Sequence, residues 1–122
     1  MRFPILIALH LILLCVSIKQ ASAQNFDITS PDKRIKLSIS IEKDISWLVS
    51  LDDDIIINDA IVGMEFTSGR NIGKNPKVRN HSIKQHTSII NPIIPNKDSE
   101  IKDEFVELRI GLVSKYDIIF RA

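Results

Sequence analysis

The sequence predicts an all-β protein, specifically an antiparallel β-sandwich. Apolar and polar residues alternate over several stretches of the chain, which is the pattern of strands with one buried face. Isoleucine is abundant and glycine occurs only four times, and β-branched residues at alternate positions favour pleated strands over helices. We therefore expect almost no helix and two packed sheets, each burying one face.

The clearest alternation lies in residues 34–41, where isoleucine and leucine share one face and lysine and serine the other. A short polar connection at residues 42–44 leads to residues 45–51, in which Trp47, Val49 and Leu51 share a face. Together these segments predict a β-hairpin. Because Trp47 is central in an alternating strand, we expect it in the core rather than as a platform on which sugars stack.

The middle of the chain predicts shorter strands and a long loop. Asp52-Asp53-Asp54 is expected to form a turn, and Ile55-Ile56-Ile57 a short buried strand. The inward-facing residues of the next strand are predicted to be Val62, Met64 and Phe66. Residues 68–76 contain two glycines, two asparagines and a proline, which is typical of a loop.

The next segment predicts one long polar strand and a connection. Residues 77–90 have the polarity expected of an edge or solvent-facing strand. Asn91-Pro92 and Pro95-Asn96 break this pattern, and the polar stretch through Asp103 is predicted to be a surface connection.

The end of the chain predicts two apolar strands. Apolar residues alternate from Val106 to Leu112, Ser114-Lys115 predicts a turn, and residues 116–122 begin a final strand with Tyr116, Ile118 and Phe120 on one face. No turn or polar tail follows this strand. We therefore expect residues 24–122 to be the front piece of a longer protein, with a sandwich that is incomplete at its carboxyl end.

Residues 1–23 predict a secretory signal peptide. Met1-Arg2 gives a positive start, residues 3–18 are an almost unbroken apolar run, and Ala21-Ser22-Ala23 is a small-x-small cleavage site. We expect cleavage after Ala23 and a periplasmic or secreted mature chain. A retained transmembrane anchor is the alternative, although the apolar run is short for a bilayer core of about 30 Å.

The composition excludes several functions for the mature chain. A lipidated Cys15 is disfavoured, because Leu14 precedes it where a small residue is required. Loss of residues 1–23 changes the formal charge from +1 to about −1, with both signs spread along the chain, so neither nucleic acid nor a membrane is an expected partner. It also removes the only cysteine, which excludes disulfides, thiol chemistry and cysteine-based zinc sites.

No residue is predicted to be catalytic, to bind a cofactor or to hold a metal. Asp52-Asp53-Asp54 resembles a calcium loop, but Ile56 and Ile57 occupy ligand positions, so a solvated turn is expected. His81 and His86 are five residues apart and would face opposite sides of a strand, so they cannot share a metal. Both histidines are expected to face solvent.

Other candidate motifs also have structural interpretations. A polar stretch carries four acids that are candidates for a glycosidase carboxylate pair: Glu100, Asp103, Glu104 and Glu107. Such a pair requires two carboxyls across a pocket, one with a raised pKa, so surface charge along a loop is expected instead. Gly69 to Gly73 lacks the spacing of a phosphate loop. Asn80-His81-Ser82 fits a glycosylation sequon, which matters only in a host that has this machinery.

Four segments carry a resemblance to a known family. They read Ser-Pro-Asp-Lys-Arg-Ile-Lys-Leu (30–37), Ile-Ser-Trp-Leu-Val-Ser-Leu (45–51), Ile-Gly-Lys-Asn-Pro-Lys-Val (72–78) and Tyr-Asp-Ile-Ile-Phe-Arg-Ala (116–122). In order and spacing they resemble the N-terminal domain of glycoside hydrolase family 97, which comprises exported α-glucosidases and α-galactosidases. The Gly-Lys-Asn-Pro loop and the Phe-Arg-Ala ending are the most specific parts. Asp32-Lys33 departs from the glycine that the family usually has in this turn.

The resemblance implies a galactose-mutarotase-like super-sandwich that continues, in complete family members, into a catalytic (β/α)8 barrel. The family's catalytic carboxylates and calcium-holding glutamates lie in those later segments and correspond to no residue of this sequence. The resemblance therefore implies a non-catalytic, carbohydrate-binding-type domain with no cofactor of its own. Calcium and the α-glucoside or α-galactoside substrate would belong to the complete enzyme.

Two other hypotheses remain open at the level of sequence. The chain could be an independent secreted β-sandwich that binds carbohydrate or a protein partner. It could also be a gene fragment or early-stopped product with no stable fold.

Overall fold

The computed structural model describes residues 23–93 and 100–122. These residues contain no helix and nine strands: β1 (Gln24–Thr29), β2 (Ile35–Ile41), β3 (Ile45–Leu51), β4 (Asp54–Val62), β5 (Met64–Glu65), β6 (Asn71–Ile72), β7 (Val78–Ile90), β8 (Ile101–Leu112) and β9 (Asp117–Arg121). Except for Ala23, the predicted signal peptide lies outside the described residues. Within the described ranges, no helix is long and apolar enough to cross a membrane.

The first sheet is an antiparallel meander with the strand order β1-β2-β3-β4. The predicted hairpin is β2–β3, in which Ile39 pairs with Trp47 and Ile41 with Ile45. β1 was not predicted, and it pairs with β2 from Gln24–Ile41 to Thr29–Lys36. Only two apolar residues alternate in its six positions, so its periodic signal is weak.

The turn between β3 and β4 has the predicted position and a defined geometry. Leu51 pairs with Asp54, and φ is positive at both intervening residues, 49° at Asp52 and 72° at Asp53. Two positive φ values are the signature of a type I′ turn, whose twist matches that of the flanking strands. The Asp52 carboxylate also accepts a 2.6 Å bond from Nη2 of Arg34, which ties the turn to the start of β2.

The burial predicted for Ile55-Ile56-Ile57 is wrong. These residues belong to β4, and their exposed fractions are 60%, 58% and 37%. β4 is an edge strand with two irregularities: Trp47 pairs with Ala60, Val49 with Ile57 and Ser50 with Ile55, so β4 has one extra residue at each step. Such bulges break the alternation of side chains and bend the strand, which leaves the isoleucines at the surface.

The strand predicted from Val62, Met64 and Phe66 is divided in the structure. Val62 ends β4 and packs against the core, Met64 in β5 is 58% exposed, and Phe66 follows β5 in a turn. Gly63 separates β4 from β5. The three apolar residues therefore do not form one inward face.

The predicted loop at residues 68–76 contains the two-residue strand β6, which pairs with β5. Gly73 is buried with φ 102°, and a Cβ at this position would lie 2.6 Å from the carbonyl oxygen of Val62. Only glycine fits this approach without a shift of the backbone. Asn75 then donates its N–H to the carbonyl of Lys43 at 2.6 Å, so this loop lies against the β2–β3 connection.

The second sheet has the order β7-β8-β9. β7 is an edge strand, as predicted, and β8 pairs with it from Leu112–Val78 to Ile101–Ile90. The predicted surface connection extends too far, to Asp103, because β8 already begins at Ile101. Residues 94–99 of this connection lie outside the described residues. The predicted turn before β9 is present, with Lys115 at φ 67°.

The two sheets pack face to face around one apolar core. The first sheet contributes Ile28, Leu37, Ile39, Ile41, Ile45 and Val49, and the second contributes Leu108, Ile110 and Leu112. Trp47, Ile118 and Phe120 pack against this cluster from its margins. The predicted all-β, antiparallel sandwich is therefore confirmed. Trp47 is half-buried: it packs against the core and also lines a depression at the surface.

Candidate functional site

A shallow depression of about 570 Å³, lined by polar residues and by Ile39, Trp47 and Leu48, lies on the outer face of the first sheet. Two rows of outward-facing residues cross its floor, because antiparallel pairing sets them side by side on β1, β2 and β3. One row is Asn25, Ser40 and Ser46, and the other is Asp27, Ser38 and Leu48. The alternation that buries isoleucine on one face thus places amide, hydroxyl and carboxylate groups on the other.

The rim of the depression is formed by the bulge of β4 that lies between Ile57 and Ala60. Asn58 and Asp59 lie between the paired positions Ile57 and Ala60, and φ at Asp59 is 50°. A bulge re-aims the side chains of a strand, and here it brings both residues to the edge of the depression. The depression was not predicted, because a bulge at this position has no clear signal in the sequence.

The carboxylate of Asp27 is already partly engaged. Ser38 Oγ donates to Asp27 Oδ1 at 2.6 Å, and Lys36 Nζ lies 3.5 Å from Asp27 Oδ2. The remaining groups of the two rows offer donors and acceptors to solvent. This chemistry suits a ligand with many hydroxyl groups, and the open shape suits a weak contact better than an enclosed site.

A second polar surface covers the outer face of the β7–β9 sheet. The Glu107 carboxylate lies 2.9 Å from Nη2 of Arg121 and 3.5 Å from Nη2 of Arg109. Its side chain is only 16% exposed. The hydrogen bond from Arg121 is the main reason that the pKa of Glu107 is lowered from its usual value of 4.5.

The acidic cluster predicted from the sequence lies in and beside this network. Asp103, Glu104 and Glu107 lie on β8, so the loop interpretation is wrong for these three, whereas Glu100 directly precedes the strand. Phe105 lies between them, with the His86 ring stacked at 4.7 Å and the Arg121 guanidinium carbon 4.5 Å from the ring centroid. A glycosidase acid needs a raised pKa, whereas that of Glu107 is lowered.

The two histidines are separated as predicted. His81 packs on Phe26 at 4.8 Å between centroids, whereas His86 stacks on Phe105 and also lies 3.4 Å from Asp103. Across the described part of the chain, no three His, Cys, Asp or Glu side chains are grouped to hold a metal. The carboxylate of Asp52, in the turn that resembles a calcium loop, pairs with Arg34 at 2.6 Å.

A third cluster, which the sequence did not reveal, joins two turns at one end of the sandwich. Nη1 of Arg70 donates to the Tyr116 hydroxyl at 2.7 Å. Phe66 lies 6.4 Å from the Tyr116 ring and 5.6 Å from the Arg70 guanidinium carbon. These contacts fix the β5–β6 hairpin to the β8–β9 turn, which is a structural role.

Comparison with known proteins agrees with this architecture. A family model described as "Glycosyl-hydrolase 97 N-terminal" matches residues 28–122. Among solved structures, a β-arabinopyranosidase superposes with a TM-score of 0.69 at 22% sequence identity. The match covers 81% of this chain but only 16% of that one, so this chain spans a small part of its structural relative.

No curated protein matches the sequence. The family match nevertheless extends from β1 to the last residue and includes both sheets of the sandwich. On this basis the chain belongs to the glycosyl-hydrolase 97 N-terminal family, the N-terminal domain of a group of glycoside hydrolases.

Proposed function

We propose that this chain is the non-catalytic, N-terminal β-sandwich part of an exported glycoside hydrolase that acts on α-glucosides or α-galactosides. The family match over residues 28–122 is the observation that carries the proposal. In this proposal, residues 1–23 direct export, and catalysis and calcium binding belong to a separate barrel of the complete enzyme.

The carboxylates of the described residues support a non-catalytic role. Hydrolysis of a glycoside generally needs a protonated acid and a second carboxylate on either side of the scissile bond. Glu107 is held ionised by Arg121 and Arg109, so it is unsuited to donate a proton. Asp103 and Glu104 are adjacent on β8 and therefore face opposite sides of the sheet.

The structural relative bears on the choice of sugar. That relative is a β-arabinopyranosidase. Aryl β-arabinopyranosides should therefore be tested beside α-glucosides and α-galactosides as substrates of the complete enzyme.

Activity measurements test the catalytic part of the proposal. Purified residues 24–122 are expected to give no turnover of aryl α-glucosides or α-galactosides, with or without calcium. Fusion to a family barrel together with further sandwich strands is expected to restore hydrolysis. Calcium-dependent turnover by residues 24–122 alone, lost on Glu104→Gln or Glu107→Gln, would contradict the proposal and place the active site on β8.

We also propose that the outer depression of the first sheet makes a weak carbohydrate contact. The rows of amide and hydroxyl groups that include Asn25, Ser40 and Ser46 support this role. In the chain fused to further sandwich strands, Ser40→Leu should fill the floor and abolish amide shift changes on titration with methyl α-galactoside or methyl α-glucoside. Ser114→Leu, in the exposed β8–β9 turn, is the matched control and should leave them unchanged. Identical responses of both variants would refute a contact at this site.

A further inference from the structure

The first residue of β1 carries an inference that rests on the proposed export and cleavage after Ala23. We propose that Gln24, once it becomes the amino terminus, cyclises to pyroglutamate. Gln24 is therefore a modification site of the mature chain.

The fold begins where the predicted cleavage site ends. Gln24 is the first residue of β1 and pairs with Ile41, whereas Ala23 lies outside the strand ladder. Both Ala23 and Gln24 are exposed. Cleavage would therefore leave a free α-amine and an exposed carboxamide on the same residue, with no need to open the sandwich.

The reaction is a balanced intramolecular transfer. The neutral α-nitrogen attacks Cδ of its own side chain and forms a five-membered lactam. The Cδ–Nε2 bond breaks, and Nε2 departs as ammonia with a proton from the α-nitrogen. No oxidant or other reactant is needed. With an α-amino pKa of about 7.7 to 8.0, a substantial fraction of the amine is neutral near physiological pH.

The surroundings of Gln24 are compatible with the product. Gln24 lines a crevice of about 670 Å³ together with Glu42, Lys43 and Lys77. An unmodified terminus would add an ammonium to a crevice that already has two lysines and one carboxylate. Cyclisation removes this charge, and the lactam keeps one N–H that can still donate to the neighbouring strand β2.

Mass spectrometry of the exported protein tests the proposal. The full chain is expressed with residues 1–23 intact, and the amino-terminal peptide of the exported fraction is isolated. We expect a peptide that begins at Gln24 and is lighter by one ammonia than the unmodified sequence. It should resist Edman degradation until pyroglutamyl peptidase removes the first residue.

Gln24→Asn is the matched control, because its shorter side chain would have to close a strained four-membered ring. Its terminus should remain open and readable. A wild-type peptide that begins at Gln24 and keeps its full mass after prolonged incubation at neutral pH overturns cyclisation alone. A terminus at Met1, Cys15 or another residue overturns the proposed cleavage and the modification with it. The two failures are therefore distinguishable.

Discussion

Isoleucine occupies opposite environments on the neighbouring strands β3 and β4. Ile45 of β3 is completely buried, whereas Ile61 of β4 is 66% exposed. The two residues lie close together in the ladder, since Ile45 pairs with Val62 and Ser46 with Ile61. Residue type is the same in both, so the layer that covers each position decides its burial.

The covering layer is the second sheet. The inner face of β3 joins one cluster with Leu108, Ile110 and Leu112. Ile61 of β4 pairs with the outward-facing Ser46 and so points away from the second sheet, whereas its neighbour Val62 packs against the core. The same apolar side chain therefore stabilises the fold on one strand and forms an exposed apolar surface on the next.

Truncation of these two isoleucines should change the stability of the fold very differently. Ile45→Ala should lower the free energy of unfolding by about 2 to 5 kcal/mol, because it leaves a cavity in the core. Ile61→Ala should change it by no more than about 0.5 kcal/mol, as for an exposed site. Both changes in stability are measured by urea unfolding. Proteolytic half-life replaces this measurement where unfolding is not cooperative. Equal losses would show that β4 is covered in solution.

The exposed strand should also control association. We expect residues 24–122 alone to aggregate or to be molten, because β4 and β9 are open edges and β4 carries exposed isoleucines. Ile56→Lys combined with Ile61→Lys should reduce the associated fraction in sedimentation, since edge lysines oppose strand pairing. Lys substitutions at Thr67 and Ser68 of an exposed turn are the control.

A monomer with dispersed amide resonances and two-state unfolding would contradict this expectation. It would favour the hypothesis of an independent secreted module over that of a domain which needs the rest of its enzyme.

A third prediction compares the apolar core with the ionic outer face of the second sheet. The pKa of Glu107 is lower in the folded state than its unfolded value near 4.5. The ionised Glu107 therefore contributes stability above the unfolded pKa. This contribution is lost as the pH falls through the folded pKa. Glu107→Gln should therefore lower the unfolding midpoint at neutral pH. The difference from the wild type should vanish in acid.

Glu65→Gln, on the exposed strand β5, is the control for this measurement and should show little difference at either pH. A Glu107→Gln deficit that stayed constant with pH would mean that packing, rather than the pairing with Arg121, accounts for the effect.

A substitution in the β3–β4 turn should change stability only slightly. Asp53→Gly should raise the free energy of unfolding by about 0.5 to 1 kcal/mol, because glycine adopts positive φ without the steric cost borne by other residues. The Asp52–Arg34 pair should remain intact. Asp32→Gly is a control, because Asp32 accepts hydrogen bonds from Ser30 and Arg34, and it should destabilise. A loss on Asp53→Gly would show that this side chain makes a stabilising contact.

Sequence patterns predict those parts of the molecule in which local alternation and burial agree. The β2–β3 hairpin, the Asp52-Asp53 turn, the edge position of β7 and the inward residues of β8 follow from alternation and turn chemistry. The family resemblance, carried by four short motifs, was likewise available from the residues and is confirmed by the match over residues 28–122.

Which apolar strands are covered and which surfaces face solvent depends on how the two sheets pack. The exposure of Ile55 and Ile56 depends on two bulges and on the edge position of β4. The depression on the first sheet and the Glu107–Arg121 pair join residues from different strands. The alternation of a single strand reports which residues share a face, but burial also requires a second layer, whose position depends on pairing between residues distant in sequence.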